Sequence, residues 1–333
     1  SGTAKITDNM FNDLSKISAS SNVLLATNQP IIIGAGGLAE GAKIGVKLRT
    51  EIQEGKTAVV AQGESGYVPT EDDRAAFVSD GDTGYTTKLK ANAVVFANGD
   101  PHVHSICATT DCTHEGIHDG HDENLEWNSI ASLDEIKTSG YYYLKDDVTL
   151  TAEWNCNVEG DVYLCLNGKT ITGAADNTVI IVGSDTSLNI TDCNETVGKI
   201  THASGKNGVG ISNNGTLTLW NGAIAGNNGY TYGGVCVEED STFTMHGGSI
   251  TGNTGKNCGG VWVEDNGTFN MYGGDITGNK GTEYENAGGV FVKGTFNMYD
   301  GSKITGNTSN SSRGGGGVYV LGYSTFNMRG GDI

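Results

Sequence analysis

The 333-residue chain is poor in several things, and each shortage narrows its class. It has only 3 Pro, which rules out collagen and a Pro-rich spacer. It has no apolar run near the ~18 residues of a membrane span, so no membrane insertion is expected. Basic residues are scarce: 20 Lys and Arg stand against 39 Asp and Glu, a formal net charge of -19. A polyanion seeks a basic face, so nucleic acid is not an expected partner. Aromatics make up 8% and hydrophobic residues 36%, low for an ordinary globule. Seven cysteines are too few for a disulfide scaffold, and the odd count leaves one unpaired in a monomer. What the chain does have is glycine: 52 residues, roughly twice the usual share of ~7%.

The remaining hydrophobic residues are ordered into repeats. From Gly215 onward the chain reads GTLTLWNGAIAGN (215–227), STFTMHGGSITGN (241–253), GTFNMYGGDITGN (267–279), GTFNMYDGSKITGN (294–307) and STFNMRGGDI (324–333). Between these segments lie GGVCVEED, GGVWVEDN, GGVFVK and GGGVYVLGY. The residue after the first Thr is Leu217, Phe243, Phe269, Phe296 and Phe326, at steps of 26, 26, 27 and 30. Each copy holds three short runs of period two (V-x-V, F-x-M and I-T) between Gly and Asn, the mark of short strands. Three strands and their turns in about 26 residues make one coil of a parallel β-helix. One coil cannot bury its apolar side alone, but a stack of coils can. Equivalent residues then form inward columns: Val235, Val261, Val290 and Val318; Phe243, Phe269, Phe296 and Phe326; and Met245, Met271, Met298 and Met328. The expected fold class is therefore all-β, a right-handed parallel β-helix with about 26–30 residues per coil.

Asn227, Asn253, Asn279 and Asn307 each follow a Gly at the end of the I-T strand. Asn and Gly suit a sharp corner, so these four are expected to form a structural ladder of side-chain bonds to backbone; the rival role is polar ligand binding. The next corner varies in length, over 228–232, 254–258, 280–287 and 308–315. Variable loops mark the exposed edge of a solenoid, often the binding edge, and these carry Tyr230, Tyr232 and Tyr284. The middle residue of each V-x-V points outward, giving the column Cys236, Trp262, Phe291 and Tyr319. Two readings follow: a platform for sugar rings or a docking face for protein, or a set of rings that stack on one another beneath a loop. A second outward column reads His246, Tyr272, Tyr299 and Arg329.

Upstream the pattern weakens through SGYYYLKDDVTL (139–150), DVYLCLNGKTITG (161–173), VIIVGSDTSLNITDC (179–193) and GKITHASGKNGVGISNN (198–214). Cys165 and Cys193 fall in neighbouring coils, either as stacked thiols or as a pair. The run Gly140–Leu150, the stretch Leu164-Cys165-Leu166-Asn167-Gly168 with Thr170-Ile171, and Leu188–Cys193 followed by Gly198-Lys199-Ile200 resemble large secreted surface proteins of Gram-positive gut bacteria. In those a Cys/His segment precedes β-helix coils with "GGVYV…GTFNM.GG.ITGN" patterns. The resemblance covers most of residues 100–333. It implies a pectin-lyase-like solenoid, secreted or attached to the cell wall, and implies no settled activity.

The N-terminal third differs in texture. Gly2-Thr3-Ala4-Lys5-Ile6-Thr7-Asp8-Asn9 matches Gly301-Ser302-Lys303-Ile304-Thr305-Gly306-Asn307, so residues 1–40 are expected to be terminal coils of a β-helix. The other end stops within a repeat, at Gly331-Asp332-Ile333. Both ends suit one unit of a tandem array, or copies that meet head-to-tail in an open filament. Residues 41–100 are expected to form a small β-sandwich-like domain, with strands at Ile44–Leu48, Thr57–Ala61, Ala75–Ser79, Tyr85–Leu89 and Ala93–Ala97. Asp72, Asp73, Asp80 and Asp82 offer hard oxygen ligands for Ca²⁺, although their spacing fits no EF-hand and suits turns equally.

Residues 101–128 read as a Cys/His-rich junction before the β-helix of 129–333. It holds His102, His104, Cys107, Cys112, His114, His118 and His121. A closed zinc site from His104, Cys107, Cys112 and His114, with His118 or His121 as substitutes, fits the ligand chemistry. So does a Cys107–Cys112 disulfide with the His exposed. Catalytic residues are not expected. The best acid/base candidates are Glu238 and Glu264, near Asp265, and a solvated acidic face accounts for them as well. The functional expectation is a non-catalytic extracellular structural or adhesive module, whose partners are copies of itself, glycans or host surface proteins. The alternatives are a carbohydrate-binding β-helix and a polysaccharide-degrading enzyme. No organic cofactor is expected.

Overall fold

A computed structural model describes residues 5–6, 23–26, 29–39, 41–52, 57–64, 66–79, 85–90, 92–98, 127–194, 196–283 and 286–333. Its stacked parallel sheets form a β-solenoid of about ten turns. The chain divides into two compact units, with the second holding the solenoid from Ser129 onward.

In this second unit each coil contributes a strand to each of three parallel walls. The first wall runs through Gly140–Leu144, Gly160–Cys165, Thr186–Thr191, Thr216–Leu219, Thr242–Met245, Thr268–Met271, Thr295–Met298 and Thr325–Met328. The second runs from Val148–Leu150 to Ser302–Thr305, and the third from Trp154–Cys156 to Val318–Val320. The register is the one the repeat spacing demands. Phe243 lies opposite Phe269, Phe269 opposite Phe296, and Phe296 opposite Phe326. Their rings stack with centroids 4.8 Å apart and planes within 6°, the spacing of hydrogen-bonded strands. Val235, Val261, Val290 and Val318 likewise pair in succession. Ile224, Ile250, Ile276 and Ile304 form the column of the second wall. These columns merge into one buried core with their aliphatic counterparts upstream, among them Val162, Leu188 and Leu217.

Glycine is required at two kinds of place. Gly226, Gly252, Gly278 and Gly306 turn the corner after the second wall at φ of 67°, 62°, 63° and 64°, where a Cβ is strained. Gly234 is set by close approach: a Cβ there would lie 2.4 Å from the carbonyl oxygen of Gly260 in the next coil.

The first unit has two sheets and its own core, with Ile31, Ile33, Val60, Phe77 and Phe96 buried. Lys5–Ile6, Ile31–Ile33 and Thr57–Gly63 pair in parallel, and so do Val23–Leu25, Ile44–Leu48 and Phe77–Ser79. Strands on both sides of residue 40 thus share each sheet. The antiparallel strands Ala93–Ala97 and Thr86–Lys90 complete the first sheet. A helix at Glu71–Ala76 departs from the strand expected over Ala75–Ser79. Thr70 and Asp73 form a capping box at its start, and the strand is confined to Phe77–Ser79.

Candidate functional site

Polar side chains at the corners were the first candidates. Asn227, Asn253, Asn279 and Asn307 do form a ladder. The Asn253 Oδ1 accepts from the backbone N–H and the Nδ2 of Asn227 at 2.9 and 3.0 Å. Asn279 does the same for Asn253, and Asn307 for Asn279. Each Nδ2 also donates to a carbonyl of the preceding coil: Ile200, Ile224, Ile250 and Ile276 in turn. Asn227, Asn253 and Asn279 are fully buried. Their hydrogen-bonding groups are spent on the fold, as buried polar groups must be. His202 caps the upstream end, with Nδ1 2.8 Å from the Asn227 Oδ1 and Nε2 2.7 Å from the Asn177 carbonyl oxygen.

The outward column of the third wall is also internal. Trp262 and Phe291 are each only 4% exposed. They belong to a second small core with Cys236, Cys258 and Ala287, partly covered by Val209, Tyr232 and Tyr319. The Trp262 and Phe291 rings stack at 4.1 Å, and Phe291 and Tyr319 at 4.9 Å. Sequence spacing puts Cys236 at the head of this column, yet the ring there is that of Tyr232, stacked on Trp262 at 4.6 Å. Tyr232 comes from the variable corner loop, where its counterparts in later coils are Cys258, Ala287 and Gly315. It fills the gap left by the small Cys236 side chain. The second outward column is stacked face to face as well, from Trp220 through His246 and Tyr272 to Tyr299, with the Arg329 guanidinium over the last ring. Such rings show solvent their edges, whereas a sugar ring packs on a face.

The acidic candidates are engaged too. Glu264 pairs with the Lys293 ammonium at 3.0 Å and accepts from the Tyr232 hydroxyl at 3.3 Å. Burial alone would raise the Glu264 carboxyl, but its bond to the Lys293 ammonium holds it below the ordinary value. Glu238 accepts from the Ser212 hydroxyl at 2.8 Å. Asp73, offered as a calcium ligand, is buried and takes hydrogen bonds from the Leu38 N–H, the Thr70 N–H and the Tyr67 hydroxyl. Burial works to raise its pKa; those donors outweigh it and lower it. Asp80, Asp82 and Tyr284, with the proposed zinc ligands His104, Cys107, Cys112, His114, His118 and His121, lie outside the described residues. Among the described residues no three His, Cys, Asp or Glu side chains gather to hold a metal.

The five described cysteines form no disulfide. Burial pushes the Cys156 and Cys258 thiols up to about 12. Burial first, then the neighbouring Glu238 carboxylate, raises Cys236. Cys165 and Cys193 face each other across adjacent coils with Sγ atoms 3.4 Å apart.

The described residues form a concave site at the upper end of the Trp262 stack. A cleft of about 430 Å³ opens beside the third wall where the aromatic stack begins. Tyr230, Tyr232 and Glu238 line it from one coil, with Ser212, Asn207 and Asp176 from the coils before. Tyr230 is 76% exposed, and the Lys256 ammonium sits 4.2 Å from its ring centroid. The Asp176 carboxylate accepts from the Asn207 N–H at 2.9 Å and pairs with Lys206 at 3.3 Å; these contacts lower its pKa. The loop tyrosines were legible as residues of a variable edge. Asp176 and Asn207 were not, because their coils follow the repeat too loosely for its register to place them.

Comparison of the chain with protein-family models, with curated proteins and with solved structures finds no match. The fold stands on the register alone: a β-solenoid of about ten turns, compatible with a β-helix repeat protein.

Proposed function

We propose that this chain is a non-catalytic structural or adhesive module of an extracellular bacterial surface protein built from tandem repeats. The observation that carries this reading is the fate of the regular polar positions: the Asn ladder and the Glu264–Lys293 pair join one coil to the next. A chain that spends its repeated polar groups on coil-to-coil bonds is organised for length and resistance to unfolding. The resemblance to secreted surface proteins and the net charge of -19 support an exterior location, where solubility and avoidance of nucleic acid matter. On this reading the partners are further copies in head-to-tail array and host surface glycans or proteins. Zn²⁺ at His104, Cys107, Cys112 and His114 would staple the segment ahead of the solenoid.

The test is retention of beads coated with the native chain on mucin-coated and epithelial surfaces under flow, against beads coated with heat-unfolded chain. The expected result is selective retention with no release of reducing ends from any polysaccharide offered. Failure to adhere, combined with polysaccharide cleavage lost in Glu238→Gln or Glu264→Gln, would replace this reading with that of a glycan-degrading enzyme.

A further inference from the structure

The stacked column of the third wall has an upper end. Phe291 has a ring on each face, and so does Trp262, which lies between Phe291 and Tyr232. Tyr232 is the terminal ring. One coil further up, the register places Ser212 above Cys236 and Val209 packs against this small core, so among the described residues no aromatic side chain continues the column there. The space is the cleft, and Tyr232 lines it together with the largely exposed Tyr230. Trp220, which ends the other outward column, differs: its Nε1 donates to Asn189 of the adjacent coil at 3.4 Å.

The polar lining defines what would complete the stack. Glu238 and Asp176 present carboxylate oxygens, and each carboxylate accepts about four hydrogen bonds. Glu238 spends one on the Ser212 hydroxyl. Asp176 receives the Asn207 N–H and Nδ2 on Oδ1 and the Lys206 ammonium on Oδ2, which leaves part of its acceptor capacity. What remains is a set of acceptors around an aromatic floor, suited to a ligand with an apolar ring face and several hydroxyl donors. The volume of about 430 Å³ falls in the ~300–1,000 Å³ range of small-ligand sites. Anionic sugars are disfavoured by both carboxylates and by the net charge of -19.

We infer that this cleft binds a neutral pyranose of a glycan chain, with the sugar ring continuing the stack above Tyr232 and its hydroxyls donating to Glu238 and Asp176. The inference deepens the adhesive reading and rests on it for the glycan as partner, but its test is separate, because it measures binding in solution rather than attachment of surfaces.

The experiment is titration of the intact chain by calorimetry and saturation-transfer NMR with cellotetraose, maltotetraose, mannotetraose, xylotetraose and chitotetraose, and with tetragalacturonate as the anionic counterpart. At least one neutral oligosaccharide is expected to bind, and tetragalacturonate is not. Tyr232→Ala and the more exposed Tyr230→Ala should each weaken binding roughly three- to tenfold, the scale of one ring contact. Glu238→Gln should weaken it by a similar factor, while Tyr272→Ala on the other outward column leaves it unchanged. Circular dichroism melts report whether each variant folds; Tyr230→Ala keeps the test decisive should Tyr232→Ala unfold the loop. Absence of binding by every neutral probe, preference for tetragalacturonate, or equal loss in Tyr272→Ala would overturn the inference.

Discussion

The downstream coils, from Gly215 on, and the upstream coils, from Gly140 to Asn214, solve the same problem in two ways. Downstream, the inward positions settle on one residue type: Phe and Met fill the first wall from Phe243 on, and Asn satisfies the corner. Upstream, Val162 and Leu188 occupy the Phe column, and the corners are served by unrelated side chains. Asp192 accepts from the Gly168 N–H at 2.8 Å and from the Gly198 N–H. Asn167 donates to the Leu144 carbonyl, and Thr186 to the carbonyls of Cys156 and Val158. Position in the stack is therefore what the fold conserves, while residue identity is free wherever volume and hydrogen bonding are met. Identical rungs add a stacking bonus of about 0.5–1.5 kcal/mol per aromatic pair and leave the sequence easy to read.

That comparison can be broken first at the core. Phe269→Ala should cost about 3–5 kcal/mol in chemical denaturation, because it empties a fully buried site between two rings. Phe269→Leu should cost far less, about 1.5 kcal/mol or below, since Leu already holds this column upstream. An equal loss for both would show that the two regions do not share one packing rule.

The next effect belongs to the upstream coils alone. The thiols of Cys165 and Cys193 lie 3.4 Å apart, so oxidised glutathione should take two electrons and two protons from them and leave a disulfide. Peptide mapping without reductant should find Cys165 joined to Cys193, with a gain of about 2–4 kcal/mol in stability. Recovery of both as free thiols after oxidation would contradict the register at this corner.

A smaller effect tests the corners. Asn253→Ala should cost about 1–3 kcal/mol, because the buried Asn227 N–H loses its acceptor, and the Asn279 Oδ1 and the Ile224 carbonyl lose the Nδ2 donor, while the backbone N–H of residue 253 still reaches Asn279. Asp192→Ala should cost a similar amount, by stranding the amides of Gly168 and Gly198. Thermal melts of the two variants check whether repeated and individual solutions carry equal weight.

The smallest effect is electrostatic. The carboxyl of Glu264 lies below its ordinary pKa in the folded chain, so its stabilising contribution is present above the unfolded-state value and fades as pH falls through the folded one. Glu264→Gln should lower stability by about 1 kcal/mol or less near neutrality. The difference from the native chain should vanish once the pH has fallen through the lowered folded-state value. A difference that grows on acidification would reverse the sign of this account.

The contrast also explains what the sequence reveals and what it withholds. The columns at Phe243, Phe269 and Phe296 and the ladder at Asn227, Asn253 and Asn279 were legible because repetition at a fixed step encodes vertical contact. Tyr232 was legible as a loop residue but not as the head of the Trp262 stack. Its ring crosses from the corner to the wall, and a linear register carries no such information. Asp176 and Asn207 reach the cleft through irregular upstream turns, for which no second copy supplied a reference. The helix at Glu71–Ala76 was missed although Thr70-Glu71-Asp72-Asp73 carries a capping pattern, because the strand reading of Ala75–Ser79 absorbed its last residues.

The central claim is that equivalent side chains of consecutive coils lie directly over one another. Thr242 and Thr268 are paired in register, and Thr295 follows one coil later. Replacing Thr242 and Thr268 by Cys places two thiols one strand spacing apart, ~4.8 Å. The combination Thr242 with Thr295 places them two spacings apart. Reaction of each double variant with dibromobimane, which fluoresces on bridging two close thiols, measures the difference. The expected result is fast bridging of the 242/268 pair and none of the 242/295 pair. Equal bridging of both, or none in the 242/268 pair of a folded protein, would contradict the stack.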